Sequence, residues 1–317
     1  MRAPREDPRE AATPGRGLTD LERTTRYALR LTRVARFTRP FMRHKTPVLY
    51  RLCQALVRWV CPPGKASARC QLVTAYDGGL FNVDTSSSTE YHLLFRGAHE
   101  PHVTELLQRL ARPGDTCLDI GANVGSLTLV LARAVGPTGR VLAFEPHPQV
   151  AERLRRNVEL NCYRQVTVVE AAVSDTDGTA TLYGHEPDAF RKGLSSLRPD
   201  EAVSQPLEVA TVAARECESR FELTACHLIK IDVEGHEPVV LKGLDGLIEK
   251  HRPHVIFELR TRHWSKFGEG TAPVLDRFRA LDYDLYFIRR GIMQPLAEVV
   301  PDSCEMVCVP RDRGSAR

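Results

Sequence analysis

The sequence lacks the features that mark several large classes of protein. Its nine cysteines include no Cys-x-x-Cys pair, which argues against a zinc site and fits reduced thiols better than a disulfide framework. No run reaches about 18 uninterrupted apolar residues. The opening MRAPREDPRE has no apolar core of the kind a signal peptide needs. These absences predict a cytoplasmic globular protein with no membrane span and no metal held by cysteine.

Charge is distributed unevenly along the chain. Residues 1–69 carry 16 Lys and Arg against 5 Asp and Glu, whereas the remaining residues carry 28 against 35. Residues 1–19 contain too few apolar side chains to form a core, so we expect a disordered tail there. The basic excess therefore belongs to a segment that precedes the main domain.

Residues 20–69 predict a basic, amphipathic helical extension. Two groups of side chains share a helical face: Arg23, Arg26, Arg30 and Arg33 in the first helix, and Leu49, Leu52, Leu56 and Trp59 in the second. The pair could lie on an anionic membrane or an acidic partner through residues 20–61, as a peripheral contact. Alternatively, the apolar faces pack on the main domain, which is what amphipathic surface helices generally do.

Residues 70–310 predict one α/β domain, followed by a short tail at 311–317. A hairpin with Asp77-Gly78-Gly79 at its turn is expected within residues 70–97. Strand-like runs then alternate with helical ones: TCLDI, RVLAFE, VTVVEAAV, HLIKID and HVIFEL. This alternation predicts a mostly parallel sheet with helices on both faces. Ligands of such sheets bind at the carboxyl ends of the strands.

The stretch LDIGANVGSLTL at residues 118–129 forms a glycine turn between a strand and a helix. In a dinucleotide fingerprint a second glycine would approach the pyrophosphate, but Asn123 occupies that place between Gly121 and Gly125. Asp119 would repel phosphates, yet it suits the ammonium group of an amino acid moiety. S-adenosylmethionine has such a moiety. Asp119 could instead cap the following helix.

Glu145 ends the next strand, 24 residues after Gly121. An acid at this place can accept hydrogen bonds from both ribose hydroxyls of a nucleoside. NAD would require the same acid, and an isolated glutamate is more often a surface residue. Asp119, Asn123 and Glu145 together favour S-adenosylmethionine as the cofactor.

The motif KIDVEGHE at residues 230–237 is the best candidate for catalysis. Lys230, Asp232 and Glu234 alternate at the carboxyl end of a strand. Methyl transfer to an alcohol needs alignment of the acceptor oxygen and removal of its proton. Glu234 and Asp232 are the first candidates for the base, His236 for a proton relay, and Lys230 for holding the deprotonating hydroxyl.

Two other interpretations of this motif remain open. Asp232 or Glu234 could cap the next helix, and Lys230 could pair with a neighbouring acid. A divalent metal on these carboxylates is possible, but the sequence shows no third ligand and we expect none.

Three motifs resemble the FkbM family of class I methyltransferases: GDTCLDIGANVGSLTL, RVLAFEPHPQVAERLRRNVELN and LIKIDVEGHEPVVLKG. The resemblance implies a Rossmann-like sheet of seven strands with the last one antiparallel. It implies S-adenosylmethionine as cofactor and O-methylation of a hydroxyl on a sugar, a lipid-linked saccharide or a polyketide-type metabolite. It also implies a set of cofactor contacts: Asp119, Gly121, Asn123 and Gly125 at the methionine end, Glu145 at the ribose and Ala172 near the adenine.

Two enzyme classes remain as alternatives. A nicotinamide-dependent oxidoreductase would use the same sheet and Glu145, but Asp119 and Asn123 argue against NAD. A nucleic-acid methyltransferase would explain the basic extension, but the main domain is net acidic, so nucleic acid is not the expected partner. His99 and the other histidines near the loops are expected to be surface or structural residues. Ser195 and Ser196 lie in a loop that could close over the acceptor.

Overall fold

The computed structural model describes residues 34, 38, 47–60, 69–75, 78–84, 87–184, 195–197, 205–266, 268, 270–289, 291–297 and 300–313. The expected tail at 1–19, the arginine face at 23–33 and the final residues 314–317 lie outside these ranges. The division of the chain into domains stays a prediction.

The described chain contains ten α-helices, fourteen strands and two short 3-10 helices. The helices are α1 (Pro47–Val60), α2 (Ser88–Arg96), α3 (Pro101–Leu110), α4 (Thr128–Val135), α5 (Pro148–Leu160), α6 (Cys217–Arg220), α7 (Glu237–Gly243), α8 (Asp245–His251), α9 (Thr261–Lys266) and α10 (Thr271–Ala280). The strands are β1 (Arg69–Thr74), β2 (Leu80–Asp84), β3 (Thr116–Ile120), β4 (Arg140–Phe144), β5 (Val166–Val169), β6 (Ala172–Ser174), β7 (Gly178–Gly184), β8 (Ser195–Ser196), β9 (Gln205–Ala213), β10 (Leu228–Ile231), β11 (His254–Arg260), β12 (Tyr283–Arg289), β13 (Ile292–Pro295) and β14 (Ser303–Pro310). The 3-10 helices are Ala214–Glu216 and Arg311–Arg313.

The central sheet has the strand order β13-β12-β14-β11-β10-β3-β4-β5. The five strands from β11 to β5 pair in parallel, and β14 is antiparallel to both β11 and β12. The last strand along the chain is therefore antiparallel, as the family resemblance implies.

The sheet has one strand more than the seven that the resemblance implies. Strand β13 pairs antiparallel with β12 at the edge of the sheet. Gly291 lies in the turn between them with φ 80°, a conformation that favours glycine and lets the chain reverse tightly. Strand β13 thus forms a hairpin with β12 and adds an eighth strand at the edge of the seven-stranded arrangement.

Helices cover both faces of the sheet, as predicted. Side chains alternate along each strand, so Leu118 and Ile120 pack with residues of α7, α8 and α10, whereas Cys117 packs with residues of α3 and α4. Burial on both faces explains why these strands are apolar throughout. The carboxyl ends of the parallel strands are left open between the two layers.

Smaller elements frame that open edge. Strands β6, β9, β7 and β8 form a second, four-stranded sheet between β5 and β10 in the chain. The predicted hairpin is present as β1 and β2, but residues 88–96 form helix α2 rather than continuing it. Asn157 on α5 holds this region in place, because it accepts the N–H of Asn82 at 3.0 Å and donates to the carbonyl of Val124 at 2.9 Å.

Helix α1 packs on the domain with a different face from the predicted one. Cys53 and Val57 are buried, whereas Leu52 and Trp59 are 61% and 81% exposed. Val57 joins the apolar cluster of β1, β2 and α2. Two neighbouring apolar stripes lie on one helix, and the alternative in which the face with Leu52 and Trp59 packs on the domain is wrong. Among the described residues, no helix has both the length and the apolarity needed to cross a bilayer.

Candidate functional site

A cavity of about 250 Å³ opens at the carboxyl ends of β3, β4, β10 and β11. Nine of the ten sequence-predicted or resemblance-derived site residues line it: Asp119, Gly121, Asn123, Glu145, Ala172, Lys230, Asp232, Glu234 and His236. Residues from three separate motifs therefore meet at the edge of the sheet where parallel folds bind their ligands.

The glycine turn lets two strand ends approach each other closely. Gly121 has φ 83°, and a Cβ atom there would lie 1.8 Å from the carbonyl oxygen of Asp232. Asn123 also adopts a positive φ, 51°, and faces the cavity. Gly125 does not line the cavity; its backbone packs against Leu154 of α5, where a Cβ would lie 2.5 Å from the Leu154 side chain. The second glycine of the motif therefore serves the packing of a helix.

Asp119 lines the cavity, and one of its two carboxylate oxygens has no hydrogen-bond partner among the described residues. Its side chain is fully buried, and the Thr128 hydroxyl donates to Oδ2 at 2.6 Å. The other oxygen, Oδ1, has no hydrogen-bond partner among the described residues. Burial raises the pKa of Asp119, although the charge of Lys230 and the Thr128 hydrogen bond oppose that shift. A buried acceptor without a donor is costly unless a ligand satisfies it.

Glu145 connects the glycine turn to the start of α5. Its Oε2 accepts the N–H of Asn123 and its Oε1 accepts the N–H of His147, both at 2.9 Å. Burial raises its pKa to about 7 against these two hydrogen bonds. Each carboxylate oxygen has a second lone pair, so a fixed, buried carboxylate can still accept two hydroxyl groups of a ligand.

An apolar wall lies beside Glu145. It is formed by Phe144, Ala171, Ala172, Val173, Leu182 and Leu197. Small side chains at 171 and 172 leave space for a flat ring. The wall therefore suits an aromatic base next to a ribose held by Glu145.

Lys230 is buried beside two carboxylates. It pairs with Asp119 across the parallel strands β10 and β3, and its Nζ lies 3.1 Å from Asp232 Oδ2. Burial alone would lower the pKa of Lys230, but Asp232, Glu100 and Asp119 together raise it well above its usual range. The pKa of Asp232 is lowered, because Lys230 outweighs the effect of burial. Lys230 and Asp232 are thus a stable ion pair, as one of the alternative interpretations holds.

Glu234 faces Arg260, a residue that the sequence analysis did not identify. Arg260 Nη1 lies 3.0 Å from Glu234 Oε2, and Arg260 Nε lies 2.8 Å from Glu258 Oε1. Burial and the charge of Asp232 raise the pKa of Glu234 to about 7 and that of Glu258 to about 8. Glu258 and Arg260 end strand β11. Polar residues at the carboxyl ends of parallel strands meet at one edge of the sheet, so the argument that placed Lys230 and Asp232 at the cavity applies equally to these two residues.

The loop between β10 and α7 is held by Glu237. This buried carboxylate accepts the N–H groups of Val233 and Gly235 with Oε1 at 3.0 and 3.1 Å, and the indole N–H of Trp264 with Oε2 at 3.1 Å. No side-chain cap hydrogen bond is present at the start of α7. Asp232 and Glu234 therefore do not cap α7 in the structure.

His236 and Ser196 connect the second sheet to this loop. His236 Nε2 lies 3.0 Å from the hydroxyl of Ser174. The Ser196 hydroxyl donates to the carbonyl of Glu234 at 2.7 Å. Ser195 and Ser196 form strand β8 rather than the predicted loop, and through Ser196 this strand contacts the predicted catalytic motif.

His99 lines the cavity, whereas a surface or structural role was expected for it. Its Nδ1 lies 3.4 Å from Nδ1 of His92, and the two ring planes differ by 18°. Burial lowers the pKa of His99 to about 4 and that of His92 to about 3. Both rings are therefore neutral at physiological pH.

Three carboxylates come close enough to share an ion. Oxygen atoms of Asp232, Glu237 and Glu258 lie within 4.8 Å of one another. However, Glu237 already accepts three N–H groups, and Asp232 and Glu258 contact Lys230 and Arg260. Each of the three carboxylates therefore already contacts a hydrogen-bond donor or a cationic side chain of the protein.

Comparison with known proteins places this geometry in a family. The methyltransferase FkbM domain matches residues 119–285, just over half of the 317 residues. The 31-O-demethyl-FK506 methyltransferase FkbM of Streptomyces tacrolimicus is 31% identical over 160 residues, which cover 42% of this chain and 61% of that protein. Hexuronic acid methyltransferase AglP of Haloferax volcanii is 26% identical over 151 residues, covering 47% of this chain and 58% of AglP.

A solved structure of methyltransferase FkbM from Methylobacillus flagellatus KT is also similar. It has a TM-score of 0.40 at 15% identity and covers 91% of this chain and 60% of that one. The chain spans less than two thirds of the length of the first curated relatives that it matches.

Proposed function

The chain belongs to the family of FkbM methyltransferase domains, and we propose that it transfers the methyl group of S-adenosylmethionine to a hydroxyl oxygen of a small molecule or glycan. S-adenosylmethionine is the cofactor of this family. The observation that carries the proposal is Oδ1 of Asp119, a fully buried carboxylate oxygen without a hydrogen-bond donor among the described residues, on a side chain that belongs to the cavity lining.

The cavity residues fit the cofactor part by part. Asp119 Oδ1 would accept the ammonium group of the methionine moiety, while Thr128 holds the carboxylate in place. Glu145 would accept the ribose hydroxyls, and the wall around Ala172 would contact the adenine. Gly121 and Asn123 shape the turn between these two acids. When bound, the cofactor supplies an electrophilic methyl group on a sulfonium centre.

The motif of residues 230–236 would bind and activate the acceptor. Asp232 is held by Lys230 and keeps a low pKa, so it would orient an acceptor hydroxyl rather than take its proton. Glu234, with a pKa of about 7, would accept the proton from the hydroxyl oxygen. Lys230 would stabilise the oxygen as negative charge develops. His236, bonded to Ser174, would keep the loop against the second sheet and could receive that proton in turn.

The relatives support an oxygen acceptor without fixing which one. One is named for a hexuronic acid and another for the 31-O position of a demethylated compound. The competing oxidoreductase interpretation needs a pyrophosphate at the glycine turn. There, Asp119 faces the cavity and Asn123 stands in the place of the second glycine, so NAD is not favoured.

Calorimetric titration with S-adenosylhomocysteine and, separately, with NAD tests the proposal. We expect binding of S-adenosylhomocysteine alone, weakened in Asp119→Asn and Glu145→Gln. Glu234→Gln is expected to bind it normally and, once hydroxylated acceptors are screened, to lose methyl transfer. Binding of NAD instead, or no binding by a folded protein, would overturn the proposal.

A further inference from the structure

The stripe formed by Leu52, Leu56 and Trp59 on α1 is an exposed apolar surface. These side chains are 61%, 36% and 81% exposed. Their spacing of four and three residues puts them on one side of the helix. Within the described ranges, α1 packs on the domain through the adjacent side, where Cys53 and Val57 are buried. A second apolar stripe needs an occupant outside the domain's own core.

The charge of the sequence segment that contains this stripe selects the occupant. Residues 1–69 carry 16 Lys and Arg against 5 Asp and Glu, and Arg51 is exposed on the same helix. We propose that α1 lies in the plane of an anionic lipid surface, with Leu52, Leu56 and Trp59 inserted among the lipids and the arginines at the head groups. Basic side chains are attracted to anionic lipids, and tryptophan favours the boundary between lipid and water.

A protein partner fits the stripe less well. Three side chains bury far less than the roughly 800 Å² per partner of a stable protein interface. The same segment of a second copy would also bring a like charge. Neither the small contact area nor the basic charge argues against a lipid surface, which is fluid, extended and negatively charged.

The proposed lipid contact of α1 would lie near the cavity. Val57 packs in the same cluster as Tyr91 and Leu93 of α2, and Ser88 and Thr89 at the start of α2 line the cavity. Docking of α1 would therefore place the cavity close to the lipid surface. This arrangement is independent of the proposed methyl transfer.

Sedimentation of the full chain with two kinds of vesicle tests the inference. One kind is pure phosphatidylcholine, and the other is an equimolar mixture of phosphatidylcholine and phosphatidylglycerol. We expect binding to the mixed vesicles only, weakened by added salt. The combined change Leu52→Ser, Leu56→Ser and Trp59→Ser should reduce the partition coefficient by about tenfold or more. Ile292→Ser is the matched control, because Ile292 is 63% exposed on the edge strand β13.

Tryptophan fluorescence locates the contact. The chain has two tryptophans, Trp59, which is exposed, and Trp264, which is fully buried. A blue shift with mixed vesicles that disappears in Trp59→Phe would support insertion of α1. Absence of binding by the folded chain, or binding unchanged in the triple variant, would overturn the proposal. So would a dimer in lipid-free solution that the triple variant abolishes, because the stripe would then be a self-interface. Calorimetry with S-adenosylhomocysteine reports separately on the methyltransferase proposal.

Discussion

Asp119 and Thr128 meet inside the protein so that only one oxygen of the carboxylate is satisfied. The Thr128 hydroxyl donates to Oδ2 at 2.6 Å, and Oδ1 has no hydrogen-bond partner in the described part of the chain. The threonine at the first position of α4 thereby fixes the orientation of an acid at the end of β3. Asp119 is therefore a preorganised acceptor. The hydrogen bond from Thr128 offsets only part of the cost of removing its carboxylate from water, and a ligand that donates to Oδ1 would offset more.

Asp119→Asn should weaken binding of S-adenosylhomocysteine by about tenfold to a hundredfold, because a charge-assisted hydrogen bond to the ammonium group is worth roughly 1.5–3 kcal/mol. The asparagine has the same shape and can still accept the Thr128 hydroxyl. Calorimetric titration gives the dissociation constant. Asp115→Asn, before the opposite end of β3, is the control and should leave the affinity unchanged. Equal affinities for Asp119→Asn and the unchanged protein would contradict the assigned role.

Gly121→Ala should destabilise the fold more than Gly136→Ala does. Both glycines have a positive φ, 83° and 65°, and Gly136 has ψ −173°, a combination that is almost restricted to glycine, so each alanine carries a backbone penalty of roughly 1–3 kcal/mol. At position 136 nothing lies within 4 Å of a new Cβ, whereas at 121 it would lie 1.8 Å from the Asp232 carbonyl oxygen. Chemical denaturation of the two variants compares a clash combined with a backbone penalty against a backbone penalty alone. Equal loss of stability would show that the two loops separate easily.

Local rules predicted most of the fold and the cavity. Apolar runs with polar residues at their ends placed Asp119, Glu145, Lys230 and Asp232 together, because parallel strands share one carboxyl edge. The same rule would have found Glu258 and Arg260, had it been applied to the strand HVIFELR.

Long-range packing accounts for what the sequence did not reveal. Gly125 faces Leu154, a residue of another helix, and Glu237 binds Trp264, 27 residues later. Neither partner can be identified from spacing within a motif. Helical periodicity likewise defines the apolar faces of α1 but not which of them the domain covers.

Glu237→Gln should lower kcat and the melting temperature while changing the affinity for S-adenosylhomocysteine little. The carboxylate fixes the backbone of Val233 and Gly235 on either side of Glu234, and an amide cannot accept all three of its N–H groups. Loss of these bonds should cost about 2–3 kcal/mol of stability. Thermal unfolding and calorimetry measure the two quantities.

Trp264→Phe provides the companion variant for Glu237→Gln, because it removes the indole donor, together with part of a fully buried ring. The two changes combined should be less destabilising than the sum of each alone, since they share one hydrogen bond. A positioning role for Glu237 requires kcat to fall in Glu237→Gln at temperatures well below its unfolding. If kcat is unchanged there, Glu237 serves stability alone.

The free energy of unfolding should fall as pH rises from about 5 to about 8, with Glu258 as one contributor. Burial is the main cause that raises the pKa of Glu258 from 4.5 to about 8, and the charge of Asp232 adds to it. Between these values the folded protein keeps a proton that the unfolded chain releases, so raising the pH favours unfolding. Strand register adds to this effect, because Glu258 lies opposite Glu305, whose pKa burial also raises.

Glu258→Gln should therefore show a shallower decline of stability with pH than the unchanged protein, because its amide stays neutral throughout. Glu152→Gln, at an exposed position on α5, is the control and should retain the full decline. Denaturant titrations at several pH values measure the slopes. A Glu258→Gln slope equal to that of the unchanged protein would mean that Glu258 is already ionised in the fold, with Arg260 sufficient to stabilise its charge.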